Sequence, residues 1–283
     1  MKAIGYHQSI DAIRIFIVIY KIDHRDYHYK STIAQTLDHD DNQPYYSELS
    51  FLTVIDVQGA QAASFLQGQL TNHIQEIPAN GVQTNLLCNL KGQIVTKLWI
   101  MRDQDHYMII CPHDLSQALI TILNKTALLS KVILRENPTQ KVYGLYTEQK
   151  LAISLHVPIK YLLKPDLFWH YIGLKHQQFE IYPSSSKIFV PHQLELEKSG
   201  WVHFQKGCYR GQEIIARMHY LGKSKYHIQQ CITELPEEVK PGMTILNKEK
   251  QPIGQLIDWC PINDKEHLLN ICIKKNTAFC GFC

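Results

Sequence analysis

No apolar run in this sequence is long enough to cross a bilayer. The longest, Ile13 to Tyr20, spans eight residues with Arg14 inside it, against the roughly 20 a spanning helix needs; it reads as a strand, and no membrane partner is expected. A small-residue cleavage site after an apolar core is also lacking, so a cytoplasmic location is expected by default. Charge of one sign is scarce: a net +3, with acids and bases interleaved, excludes a direct nucleic-acid partner held by phosphate neutralisation. Repeats and low-complexity blocks are absent, and 45% hydrophobic with 19% charged residues excludes a large disordered region. A length of 283 residues suits a buried core and two or three domains.

Cysteine is present but not in the pattern of a disulfide framework. Cys88, Cys111, Cys208, Cys231, Cys260, Cys272, Cys280 and Cys283 are scattered along the chain, so reduced thiols are expected. Cys280 and Cys283 close the tail, but a cluster or zinc site needs about four ligands at defined spacing, so no metal site is expected. The Asp38-His39-Asp40-Asp41-Asn42 stretch reads as a solvated turn.

From Phe51 the periodicity becomes legible. Phe51 to Val57 is a strand, and Ala62, Phe65, Leu66 and Leu70 recur at helical spacing. Thr84 to Cys88, Ile94 to Met101 and His106 to Cys111 are strands, and Asp114 is placed to N-cap a helix bearing Leu115, Leu119 and Leu123. Lys131 to Arg135 closes the unit as a strand. This order gives an α+β sheet with helices on one face, related to the split βαβ arrangement. Val142 to Tyr146 is strand-like, and Phe168, Trp169 and Tyr171 form an aromatic cluster expected in the core. Past Leu221-Gly222-Lys223, a probable linker, short β-runs at Tyr226 to Ile232, Met243 to Leu246, Pro252 to Trp259 and His267 to Ile273 suggest a small antiparallel barrel.

Chemistry concentrates in Lys206-Gly207-Cys208-Tyr209-Arg210-Gly211-Gln212-Glu213. Gly211 breaks the chain, and Gln212 to His219 can run as a helix with Ile214, Ile215 and Met218 inward. Cys208 then precedes a helix N-terminus with Lys206 and Arg210 beside it, the setting in which thiols ionise and become nucleophilic. A hydrolytic nucleophile would want a base, and His203 is the nearest imidazole. The bland alternative is a small buried cysteine in a glycine-bounded turn.

This octet, with Phe189-Val190-Pro191, Leu196-Glu197 and Phe204-Gln205 ahead of it, resembles the K-G-C-[FY]-x-G-Q-E signature of the YgfZ family, folate-binding proteins related to the glycine-cleavage T-protein, an aminomethyltransferase. Phe65-Leu66-Gln67-Gly68-Gln69-Leu70-Thr71 and Cys88-Asn89-Leu90-Lys91-Gly92 resemble two further family motifs. The resemblance implies α+β units in a ring plus a C-terminal β-barrel. Residues 1–48 would form an N-terminal extension and first strand, and 49–136 with 183–222 a folate-binding domain. Residues 137–182 would be an abbreviated middle domain and 223–283 the barrel.

The same resemblance implies tetrahydrofolate or a derivative as cofactor, contacted by Phe51, Trp169 and Glu197. It also implies a role in iron–sulfur cluster assembly or repair that supports tRNA modification, with Lys206 and Cys208 as the functional pair and iron–sulfur enzymes or assembly proteins as partners. Two departures stand out. Trp201 occupies a position that is small in the family and narrows the implied folate channel, and Thr96-Lys97 stand where the T-protein has paired aspartates. A hydroxyl and a cation cannot supply the attraction that a carboxylate gives a developing ammonium. An accessory protein is therefore expected rather than a tetrahydrofolate-dependent aminomethyl transferase; a folate-free interaction module is the remaining alternative.

Overall fold

The structure, a computed structural model, describes residues 17–222, 224–277 and 279. The Cys280/Cys283 tail, the run from Ile13 up to residue 16 and Lys223 lie outside the described residues. A hairpin of β1 (Ile17–Ile22) and β2 (Arg25–Lys30) opens the described chain, followed by a short helix α1 (Ile33–Leu37) and strand β3 (Tyr45–Glu48).

Period-two alternation then builds the largest sheet. Its strands are β4 (Leu52–Gln58), β5 (Gly81–Cys88), β6 (Ile94–Asp103), β7 (His106–Pro112) and β8 (Ile133–Asn137), ordered β5-β6-β7-β4-β8 with antiparallel pairing throughout. One face, carrying Ile55, Val57, Leu98 and Ile109, packs against α2 (Ala62–Gln69) and α3 (His113–Ala127). The other, with Val54, Leu86, Trp99 and Ile110, joins an interior shared with the rest of the chain. The expected helices on one face are present. Asp114, however, lies within the first turn of α3 rather than capping it. Pro112 holds the cap position because β7 runs straight into the helix.

The second sheet, ordered β10-β9-β3-β11, pairs β3 with β9 (Tyr143–Thr147) and the two-residue β11 (Leu162–Leu163), while β10 (Lys150–Ser154) pairs with the far side of β9. Thus residues 45–48 supply an inner strand to the 137–182 segment. Trp169 and Phe168 sit on α4 (Asp166–Lys175), buried on nearly every side. The Asp38–Asn42 stretch is the expected solvated turn, with Asp38, Asp40, Asp41 and Asn42 exposed; it is tied down by His39, edge-on to Phe168 at 5.3 Å, and by Asp41, which accepts a hydrogen bond from the Tyr146 hydroxyl at 2.5 Å.

After α5 (Gln212–Leu221) come β12 (Tyr226–Glu234), β13 (Thr244–Leu246), β14 (Pro252–Pro261) and β15 (Glu266–Lys274), in the order β12-β15-β14-β13. Among the described residues this C-terminal unit is a four-stranded antiparallel sheet, with no pairing that closes it into the expected barrel.

Charges are fixed at the centre. Arg25 donates to both carboxylate oxygens of Asp114 at 3.0 and 2.8 Å and to the Ile181 carbonyl at 2.9 Å, and its guanidinium carbon lies 4.3 Å from the Tyr182 ring. Glu180 accepts a longer contact from Arg25 at 3.5 Å. Tyr27 and Tyr182 share a hydrogen bond, and the Tyr182 hydroxyl donates to Asp258, each at 2.9 Å. Such a network ties the hairpin, α3, the 180–182 segment and β14 together, since a buried charge is tolerated only when paired.

Candidate functional site

Between Tyr182 and Gln212 no residue belongs to a helix or strand. The chain there is held by what it touches. Three stretches far apart in sequence meet: the end of α2, the Cys88–Gly92 turn and the 204–211 loop.

Lys206 makes the first connection. It is 5% exposed, and its ammonium donates to the carbonyls of Gln67, Leu70 and Asn72 at 2.7, 2.6 and 2.7 Å. The carbonyls at the end of a helix have no partner within it, and the negative end of the helix dipole favours a cation. Burial pulls the Lys206 pKa down to about 7. The three carbonyls act in the opposite sense, because hydrogen bonds to a charged form favour it.

Arg210 makes the second connection: its backbone N–H reaches the Gly68 carbonyl at 3.1 Å, and its Nε donates to Gln69 Oε1 at 3.2 Å. Gly211 makes the third. It adopts a left-handed φ of +80°, and a Cβ there would lie 2.5 Å from the Asn89 carbonyl oxygen, so glycine is required twice over. The turn it abuts is fixed by Asn89 Oδ1, which accepts from the N–H groups of Lys91 and Gln93.

Cys208 is exposed, the one such thiol among the six described cysteines. Burial raises the pKa of Cys231 to about 11 and of Cys272 to about 12, and raises those of Cys88, Cys111 and Cys260 as well. Cys208 makes no hydrogen bond among the described residues, and Gly207 beside it is also exposed. The expected helix forms as α5, with Ile215 buried and Glu213 and Arg217 exposed, and Gln212 Oε1 accepts the Tyr209 N–H at 3.3 Å. The two cations expected beside the thiol are engaged elsewhere, Lys206 with carbonyls and Arg210 with Gln69. His203 lies 3.7 Å from Glu76 Oε2 and edge-on to His73. Nothing makes it a base for Cys208.

One group was missed in sequence. Glu197 Oε2 accepts from His192 Nδ1 at 3.2 Å and His219 Nδ1 at 2.9 Å, while Glu197 Oε1, His192 Nε2 and the Tyr209 hydroxyl are buried without a partner. No sequence pattern joins residues spaced this way; the loop geometry does. Among the described residues no group of three or more His, Cys, Asp or Glu side chains is arranged to hold a metal ion.

The residues inferred to contact folate lie in three local settings. Phe51 lines a cavity of about 260 Å³ with Arg25, His28 and Asp114. Trp169 is pressed against Gly144, where a Cβ would come 2.4 Å from its ring, and Glu197 faces the two histidines. Trp201 and Lys97 are buried in the interior, the Lys97 ammonium 4.7 Å from the Trp201 ring. Phe51 and Trp169 belong to the same buried core cluster, and Glu197 lies in the loop between Tyr182 and Gln212.

The architecture is that of the T-protein class. A glycine-cleavage aminomethyltransferase T from Bartonella henselae superposes with a TM-score of 0.68, covering 91% of this chain and 86% of its own, at 10% identity. Sequence comparison points more narrowly. The chain is 23% identical over 267 residues to the tRNA-modifying protein YgfZ of Escherichia coli (74% of this chain, 82% of that protein) and 22% identical over 227 residues to that of Colwellia psychrerythraea (65% and 70%). It is 25% identical over 219 residues to an uncharacterized Haemophilus influenzae protein (71% and 78%). The YgfZ-type resemblance of the three motifs therefore extends over most of the chain. No protein-family model matches it. Among the described residues no helix is long and apolar enough to cross a membrane.

Proposed function

We propose that the chain is an accessory protein of tRNA modification, supporting assembly or repair of iron–sulfur clusters in client enzymes through the Cys208 thiol. The observation that carries this reading is the convergence of three separate motif stretches on a loop that presents the exposed thiol of Cys208. A thiol that is exposed and makes no hydrogen bond among the described residues is available to a partner. The aminomethyl-transfer reading is disfavoured. Lys97 brings an ammonium beside Glu180, 4.0 Å away, into the position where that reaction calls for a carboxylate, and like charge repels a reacting ammonium.

In cells lacking the protein, Cys208→Ala is expected to fold normally and fail to restore the activity of an iron–sulfur enzyme of tRNA modification; full restoration by that variant would remove the assignment. Tetrahydrofolate or a derivative is the cofactor of this reading, supported by the T-protein-like fold and the YgfZ-named relatives. Calorimetric titration with tetrahydrofolate is expected to show saturable binding that weakens in Glu197→Gln; no binding up to millimolar ligand would reduce the protein to a folate-free thiol scaffold.

A further inference from the structure

We propose that Lys206 is a positioning residue, a cationic clamp that pins the 204–211 loop to the C-terminal end of α2 and so holds Cys208 outward, and that it takes no part in the chemistry of the thiol. This rests on the reading of Cys208 as the acting group only for its consequence in cells.

The geometry separates the two neighbours. Lys206 is buried and Cys208, two residues on, is exposed. An ammonium carries three N–H donors, and all three are accounted for by Gln67, Leu70 and Asn72. None is left for a thiolate or a partner. A neutral amine would bring two donors to three carbonyls and leave one buried acceptor unpaired, so the site is built for the charged form.

Cys208 lies between two anchors. On its N-terminal side are the Lys206 clamp and the His203 N–H bonded to the Thr71 carbonyl at 3.0 Å; on its C-terminal side is the Arg210 N–H bonded to the Gly68 carbonyl. Between them Gly207 has open space around it, a Cβ there meeting nothing within 4 Å. The loop is thus fixed from behind, at the end of α2, while its outer side stays clear. Because the anchors are carbonyl dipoles rather than carboxylates, the clamp brings no negative charge to the base of the thiol loop.

Two measurements on purified protein distinguish a clamp from an electrostatic or catalytic partner. Lys206→Met keeps the chain length and removes the donors. We expect the pH midpoint of Cys208 alkylation, read by peptide mass spectrometry, to stay at the wild-type value, while amide exchange of Tyr209 and Arg210 accelerates about tenfold or more as local opening becomes easier. A midpoint shifted upward with exchange unchanged would overturn the clamp and make Lys206 a charge partner of the thiol. Should Lys206→Met not fold, acylation of lysines in the wild-type protein gives the answer: Lys206 is expected to react about a hundredfold more slowly than exposed Lys91, and equal rates would overturn the proposal. Neither measurement involves tRNA modification, so failure of Cys208→Ala to behave as expected in cells leaves the clamp standing, and the reverse.

Discussion

Lys97 and Lys206 are both buried lysines, and their surroundings divide the molecule into two regions. Lys97 lies in the central interior, bonded to the Phe179 carbonyl, 4.0 Å from the Glu180 carboxylate and over the Trp201 ring. Burial lowers its pKa, and Glu180 and Asp258 oppose that shift. Around it Arg25 pairs with Asp114 and Glu180, and Asp258 lies 3.4 Å from His170. Lys206 meets carbonyl dipoles and the Tyr209 ring, 5.1 Å away, with no carboxylate partner among the described residues, and two residues on a thiol makes no hydrogen bond among them. A region that pairs every charge is committed to holding segments together; a region that spends dipoles on its cation leaves a side chain free to react. Structural load and chemical availability are thereby placed on different parts of the fold.

The largest test of this contrast is Arg25→Met. It leaves Asp114 and Glu180 facing each other without the guanidinium, and removing one partner of a buried pair costs about 3–5 kcal/mol. Urea unfolding should show that loss in the free energy of unfolding, while the rate of Cys208 alkylation in the folded protein stays at the wild-type value. If alkylation changed in step with stability, the thiol loop and the polar interior would be one cooperative unit, and the contrast between the two lysines would not describe the protein.

Much of the fold was legible, and the limits have physical causes. Apolar β-rich runs bounded by turn residues placed the five-stranded sheet, whose central strands are buried on both faces, and helical spacing placed α2 and α3, which bury one face each. Helix α4 was missed. From Asp166 to Lys175 nearly every side chain is buried, so the polar stripe that betrays an amphipathic helix is absent. Asp114 was read as a cap because caps are local, whereas its partner Arg25 lies 89 residues away. At the site, the octet around Cys208 was readable as a dense motif, but not the direction of its side chains. Lys206 was expected to act on its neighbour in sequence and is instead bonded to carbonyls more than 130 residues earlier. The His192–Glu197–His219 group was out of reach for the same reason.

The smallest effect lies at the rim of the polar region, where a histidine is held by a carboxylate. His28 Nδ1 is 2.8 Å from Asp166 Oδ2, and the His28 backbone N–H is bonded to the other carboxylate oxygen, joining the β1–β2 hairpin to the start of α4. The hydrogen bond to Asp166 raises the His28 pKa above 6.5, with burial acting against it. The folded state thus binds the proton more tightly than the unfolded chain, so this stabilisation is fully present below the unfolded pKa of about 6.5 and is lost as pH rises through the higher folded value. His28→Gln should therefore cost most at mildly acid pH and progressively less toward alkaline pH. The side chain is 33% exposed, so solvent screening holds the pH-dependent part to about 0.5–1 kcal/mol. Thermal unfolding of both proteins across that range measures it. A constant difference would mean that folding leaves the His28 pKa unchanged and make the link to α4 an ordinary hydrogen bond, whereas a difference that shrinks with rising pH would extend charge-for-charge pairing to the outer edge of the interior.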